Sequence, residues 1–452
     1  MNSPSMENSQ TPEQLYGDHI RQKLSRFRAI LESTDFDRLI IGSGSEKMQF
    51  QDDMAYPFKT NPYFREWVPL TACADYFLCI DAENDKPKLY IHCKQDIWHS
   101  SPQQLADSYA QYLEIIEYSS IELLAKQFVS MAGSTALINE TNDLGLASEI
   151  WNPPQLLHAI DFQRRSKTPY EHACVRRANL LAVPAHLAAK NAFMAGASEL
   201  EVASAYLKAC YCAENEMPYA IIAGINQNAA VLHHHQLNNQ AVEPRSLLID
   251  AGVQFNHYAS DITRTYSYET GSDFSSMISA VDSSQQNLVN QAGIGKNPVD
   301  LHIQSQYAMA QILKEFNLIN VSVEEMVDKK IIYTFYPHGL SHHLGCNVHD
   351  KGSRLANAQG DQIPGSKKYP HLRASALMVE NQVHTVEPGI YFIPALLEKL
   401  KTGENKNSVN WNQIKHWKKY GGIRIEDNII LHANGHIENI TRAAFNQVKN
   451  SD

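Results

Sequence analysis

The sequence predicts an α+β protein in two parts. A smaller N-terminal α/β domain covers residues 1–160, and a larger C-terminal α+β domain covers 165–452, with a curved antiparallel sheet backed by helices. Three observations predict this. At 452 residues the chain exceeds one ordinary domain, and 43% apolar against 19% charged residues is the composition of buried cores. A Pro-rich, basic break, WNPPQLLHAIDFQRRSKT, occupies 151–168. Beyond it, strongly helical runs give way to β-branched and aromatic segments that each end on polar residues.

In the first part, Arg38-Leu39-Ile40-Ile41 reads as a strand ending at the turn Gly42-Ser43-Gly44-Ser45. Tyr76–Ile80 and Lys88–His92 flank the polar loop DAENDKP and predict a hairpin. Ser120–Met131 adds a helix-like apolar run. After the break, Thr168-Pro169-Tyr170-Glu171 is a helix start signal leading into the Ala/Leu/Arg-rich run 173–192. Further helices are predicted over 198–215 and 301–316, and strands over 246–251, 257–266, 381–392 and 421–431.

Charge and targeting signals exclude several classes. Lys and Arg total 39 against 49 Asp and Glu, a net charge of −10, with no basic tract to neutralise phosphates, so nucleic acid is not an expected partner. The polar start MNSPSMENSQTPEQ has no signal-peptide core, and no stretch approaches the roughly 20 apolar residues of a membrane helix. Seven cysteines without CxxC spacing fit a reduced interior. The expectation is a cytoplasmic protein with no membrane partner.

The informative feature is where the acids lie. Asp250 ends the apolar run Leu247-Leu248-Ile249, and Asp261 lies inside the strand-like YASDITRTY. A two-residue hairpin loop at Phe255-Asn256 would set the two acids directly opposite each other, which is destabilising unless a cation lies between them. Glu387 closes Val383-His384-Thr385-Val386 ahead of Pro388-Gly389, and Glu426 shares one face of Gly422–Glu426 with Arg424. One such acid is ordinarily a turn or a salt bridge. Four in four strands are costly to bury unless metal-bound or paired. The segment Tyr336–Gly345 adds histidines, with His338 and His342 four apart but a Pro and two Gly arguing against a helix. Beside four carboxylates, one of these histidines reads as a ligand. Two divalent ions match the charge of four carboxylates. An oxygen-rich set with one imidazole favours Mn²⁺, or Co²⁺, over thiolate-bound zinc, and paired ions that acidify a water point to hydrolysis.

The contexts LLIDAG, SDITRT, HGLSHHLG, TVEPGIY and GGIRIEDN resemble the dinuclear site of the pita-bread metallopeptidases. The signature HGLSHHLGCNVHD, His338 to Asp350, resembles the Xaa-Pro peptidases. NPYFREWVPL at 61–70, DKPKLY at 85–90 and KTPYE at 167–171 are similar to the bacterial Xaa-Pro dipeptidase (prolidase) branch, which includes organophosphorus acid anhydrolases.

The resemblance implies a C-terminal pita-bread catalytic domain and cleavage of dipeptides with a C-terminal proline, extended to organophosphate triesters and fluorides. The alternatives are an Xaa-Pro aminopeptidase acting on longer peptides or a non-catalytic pita-bread binding protein. It implies a ligand set of Asp250, Asp261, His342, Glu387 and Glu426, with Asp261 and Glu426 bridging two metals and Glu387 also the general base. It further implies that His349 stabilises the tetrahedral intermediate and that His233 and Arg373 contact substrate, Arg373 through the proline carboxylate. His338, Arg424 and Tyr219 would border the pocket, and a homodimer would close the partner's pocket through the segment around Trp67. Cys346 departs from the aliphatic residue usual at its position in the signature and reads as a packing change. His234 and His235 read as a solvent-facing loop, and NWNQIKHWKKY at 410–420 as a solvated helix.

Overall fold

The computed structural model describes residues 10–450 apart from 72, 94–96, 98–102, 132, 143, 146, 148–149 and 365–368. The chain packs as two compact units. The first runs to Cys174 and also takes Asn256–Tyr258 and Leu355–Asp361, while the second holds the remainder.

The first unit is built on a mixed sheet of β1 (Arg38–Gly42), β2 (Phe77–Asp81), β3 (Lys88–His92), β4 (Glu114–Tyr118) and β5 (Thr135–Ile138), in the order β4-β3-β2-β1-β5. The hairpin predicted around DAENDKP is present, with Phe77 opposite Tyr90 and Leu78 opposite Leu89. Strands β1, β2 and β5 are buried along nearly their whole length, as expected of a sheet with parallel members, while β4 at one edge is largely exposed; β1 and β5 are parallel, as are β3 and β4. Trp67 is 1% exposed, its ring edge-on to Phe27 at 4.9 Å and beneath Lys23. The Trp67 side chain itself is part of the core of this unit. The amphipathic helix Pro12–Ser33 was not anticipated.

The start signal at Thr168 forms a capping box. The Thr168 N–H donates to Glu171 Oε2 at 2.7 Å and the Glu171 N–H to Thr168 Oγ1 at 3.4 Å, opening the helix Pro169–Met194. In the second unit every strand pair is antiparallel. β6 (Ile222–Ile225), β7 (Ser246–Ala251) and β10 (Ile262–Ser267) form one sheet, and β8 (Gln254–Phe255) and β9 (Tyr258–Ala259) form the hairpin tip between β7 and β10. β11 (Val383–Val386), β14 (Asp427–Leu431) and β15 (Ile437–Asn439) form another sheet, and β12 (Gly389–Tyr391) pairs with β13 (Gly422–Arg424). Helices Asp273–Gln291 and Pro298–Glu315 pack on this framework. The 410–420 stretch holds the short helix Trp411–Trp417, but Ile414 and Trp417 are buried, so it is anchored rather than freely solvated. No described helix is long and apolar enough to cross a membrane.

The register of the central hairpin differs from expectation. Asp250 faces Thr263, not Asp261, because the turn residues are Asn256 and His257, at φ +46° and +71°. Moving a two-residue turn by one position shifts every cross-strand pair by two. The shift preserves side-chain parity, so both acids still point to one face and become diagonal neighbours.

Candidate metal centre

Interrupted strands place the acids. Glu387 sits at Glu387-Pro388 between β11 and β12, and Glu426 sits between β13 and β14, where its N–H donates to Thr263 O at 3.0 Å. Pro388 lacks a donor and cannot continue a ladder, so the strand breaks at Glu387. The segment 340–344 is extended, not helical. Leu344 N–H donates to Val383 O, Thr385 N–H to His342 O and Glu387 N–H to Leu340 O, each at 2.9–3.0 Å, which lays the segment along β11. In such a segment His338 and His342 share a face by parity, and both line the same cavity.

That cavity, of about 400 Å³, lies within the second unit and is lined by Asp250, Asp261, His342, Glu387, Glu426 and Arg424, with His233, His338, His349 and Arg373 also at its walls. Ligand atoms of Asp261, His342 and Glu426 all lie within 4.8 Å of one another. His342 Nε2 stands 3.4 Å from Asp261 Oδ2 and 3.6 Å from Glu387 Oε1, while its Nδ1 is bonded to the His343 carbonyl at 3.0 Å. That carbonyl can only accept, so Nδ1 carries a proton and Nε2 is the ring atom turned to the acids. The Tyr219 hydroxyl lies 2.8 Å from Asp250 Oδ1 and 2.6 Å from Asp261 Oδ1, spanning the diagonal pair. Gly252 makes room for this: a Cβ there would overlap Ser260 O and approach the Tyr219 ring.

The cluster is short of positive charge. Arg424 pairs with Asp250, Nη2 to Oδ2 at 2.7 Å, and donates Nη1 to Tyr391 Oη at 2.9 Å, which also meets His338 Nε2. Burial raises Glu387 to about 7, against the pull of His342 and Arg424. Burial, then Asp261 and Glu387, push Glu426 well above its ordinary value. Burial would depress His342, but its bond to Asp261 and the charge of Glu387 raise it overall. Burial holds His349 down at about 3, its ring edge-on to His342 at 4.5 Å. Buried acids this close, leaning on histidines and hydroxyls, form a donor set that fits hard or borderline divalent cations.

Sequence reasoning missed several supports. Thr263 Oγ1 donates to Glu426 Oε2 at 2.7 Å and accepts from Arg424 Nε at 3.1 Å. Asn428 clamps the Asp261 backbone, accepting its N–H at 3.0 Å and donating to its carbonyl at 2.5 Å. Thr385 Oγ1 accepts the His342 N–H at 3.3 Å. Thr263, Thr385 and Asn428 stand two residues from Asp261, Glu387 and Glu426, so period-2 alternation could have found all three, though not that Asn428 would clamp Asp261. His234 was expected in solvent, yet it is buried with Nε2 2.8 Å from Glu199 Oε2, because Glu199 also needs the loop's Asn228 amide and Asn238 N–H.

Residues 173–433 match the model of metallopeptidase family M24, and residues 14–162 that of the Xaa-Pro dipeptidase N-terminal domain. The chain belongs to family M24. Among M24 relatives, it is 39% identical over 431 residues to an Xaa-Pro dipeptidase of Pseudoalteromonas translucida, covering 95% of this chain and 98% of that one. It is 40% identical over 440 residues to an Xaa-Pro dipeptidase of Aeromonas hydrophila, at the same coverage. Its fold is similar to that of E. coli aminopeptidase P in a low pH form, with TM-score 0.70 and 21% identity over 94% of this chain and 95% of that one. As a member of M24 it is a metal-dependent peptidase, with the pita-bread catalytic fold behind a smaller N-terminal domain.

Proposed function

We propose that this chain hydrolyses the bond between Xaa and Pro in dipeptides with a C-terminal proline, using two divalent ions, Mn²⁺ first and Co²⁺ in its place. The observation that carries the reading is the convergence of Asp261, His342 and Glu426 in one buried cavity, with Asp250 and Glu387 at its edge. Its relatives named as Xaa-Pro dipeptidases support the substrate class. Asp261 and Glu426 would hold both ions, Asp250 completing one shell and His342 with Glu387 the other. Bound there, two such ions polarise a carbonyl and make a water acidic. Glu387 takes the water's proton and passes it to the leaving proline nitrogen, and His349 steadies the oxygen of the tetrahedral carbon. His233 and Arg373 hold the substrate, Arg373 by its carboxylate, while Tyr219, His338 and Arg424 keep the acids in place. Organophosphate triesters and fluorides would enter as secondary substrates, and a homodimer would be the working assembly.

The test is turnover of Leu-Pro after exhaustive chelation and after Mn²⁺ is restored. Activity should vanish and return, and activity indifferent to chelation refutes the reading. Faster cleavage of Leu-Pro-Pro than of Leu-Pro would make the enzyme an aminopeptidase instead. A phosphofluoridate assay in parallel measures the secondary activity.

A further inference from the structure

Part of the cavity lining is basic: Arg354, His371 and Arg373. These side chains come from two stretches tied together through main-chain carbonyls. Arg354 donates Nη2 to Leu372 O at 2.6 Å and Nε to Arg373 O at 3.2 Å. Its neighbour Ser353 donates Oγ to Arg373 O at 2.9 Å, and the Ser353 carbonyl accepts from Ser375 and Ala376 N–H at 3.1 and 3.0 Å. The same turn is held from a second direction. A Cβ on Gly339 would stand 2.9 Å from both His371 O and Leu372 Cα, so only glycine lets the turn lie against the segment that carries His338 and His342. The backbone that presents Arg373 is therefore fixed both by a guanidinium fork and by a glycine contact.

We propose that Arg354 is a positioning residue for the substrate's free carboxylate: it fixes Arg373 and sets a second permanent positive charge beside it, so that the site selects dipeptides over chains that continue past proline. The proposal rests on the Xaa-Pro reading above. A guanidinium stays charged at any working pH, and its rigid planar fork holds two carbonyls in fixed directions, where a freely rotating ammonium fixes neither direction. Two arginines in one wall are well matched by a carboxylate. An amide or a following residue offers no charge and leaves both cations without a counter-ion.

The experiment uses the Mn²⁺-loaded full chain with Leu-Pro and Leu-Pro amide as paired substrates. For Leu-Pro, Arg354→Met should raise KM about tenfold with kcat within about threefold, as expected for loss of ground-state carboxylate binding. The amide should be unaffected. In an Arg373→Met background the same change should cost less than it does in wild type, because part of the effect of Arg354 runs through Arg373. Arg354→Lys keeps charge but loses the fork, and should fall between wild type and Arg354→Met. It carries the same comparison if Arg354→Met fails to fold. Equal losses on both substrates, or no loss on either, would overturn the proposal and mark Arg354 as purely structural. A wild type that does not prefer Leu-Pro over its amide would remove the carboxylate reading and the proposal together. A wild-type preference that survives undiminished in both Arg354→Met and Arg354→Lys overturns the proposal alone.

Discussion

Two buried charge clusters, one in each unit, differ in how they are balanced. In the N-terminal unit Glu66 meets Lys23 and, at 2.8 Å, Arg164 Nε, and Lys167 joins them near Glu171. His19 ties Thr168 to the Glu66 carbonyl, each contact at 2.8 Å. Burial works against the Glu171 carboxylate, but Lys23, His19 and Lys167 outweigh it and hold the group at about 2. In the second unit Arg424 serves Asp250, yet burial still pushes Asp250, Glu387 and Glu426 up; at Asp261 burial is outweighed by the bond and charge of His342, which hold it down. The first cluster completes itself and serves the fold. The second is left incomplete by the chain and needs cations from outside. Charge balance, more than burial or acid count, separates a structural cluster from a metal site.

The largest expected effect comes from Asp261→Asn. An amide cannot join two cations as a carboxylate does, so Leu-Pro turnover should fall by at least about a thousandfold with the fold retained by circular dichroism. A variant that keeps near wild-type turnover breaks the comparison. Its counterpart is Lys23→Met, which leaves Glu66 with one fewer cation in a buried site. It should cost about 3–5 kcal/mol in urea denaturation while the specific activity of folded protein stays unchanged.

Metal should distinguish the clusters next. Mn²⁺ at about a hundred times its Kd should stabilise the chelated protein by about 2.7 kcal/mol, in wild type and Lys23→Met alike, and far less in Asp261→Asn. The two clusters also have opposite pH signatures. Glu171, held at about 2 against an ordinary 4.5, contributes stability present above the unfolded value and lost as pH falls towards 2. Glu387, raised to about 7 from 4.5, favours the metal-free fold below the unfolded value, and that contribution is lost as pH rises through 7. The difference in stability between metal-free wild type and Glu387→Gln should therefore decline between about pH 4.5 and 7, against a background in which buried histidines such as His19 and His257, held down at about 4 and 3 by burial, add stability to both proteins as pH rises. A slope unchanged by the substitution would contradict the imbalance. The smallest effect is expected at Cys346, 4% exposed in the second unit. Cys346→Val should change stability by less than about 1 kcal/mol in thermal melts and leave KM for Leu-Pro unaltered.

Much of the site was legible because side-chain direction in a strand is a local property. Alternation alone put Arg424 and Glu426 on one face, and parity kept Asp250 and Asp261 together even though the register moved by two. The turn that moved it was hard to read, since Asn256-His257 lacks the glycine that usually marks a turn with two positive φ angles. His234 was misplaced for a related reason. It looks exposed in its local context and is buried by a partner distant in sequence, Glu199.

The sequence by itself determined the donor chemistry: four carboxylates in or beside strand-like apolar runs and a histidine segment too rich in Pro and Gly for a helix, set by residue type and local pattern. The tertiary structure decided which of them meet. It brought Asp261, His342 and Glu426 within one ligand sphere, committed Arg424 to Asp250, clamped Asp261 with Asn428 and tied Arg354 to the turn at Arg373. Those contacts join positions about 20 to 170 residues apart, and the pairing of separate strands and loops that creates them is chosen by the burial of whole faces, which no local pattern records.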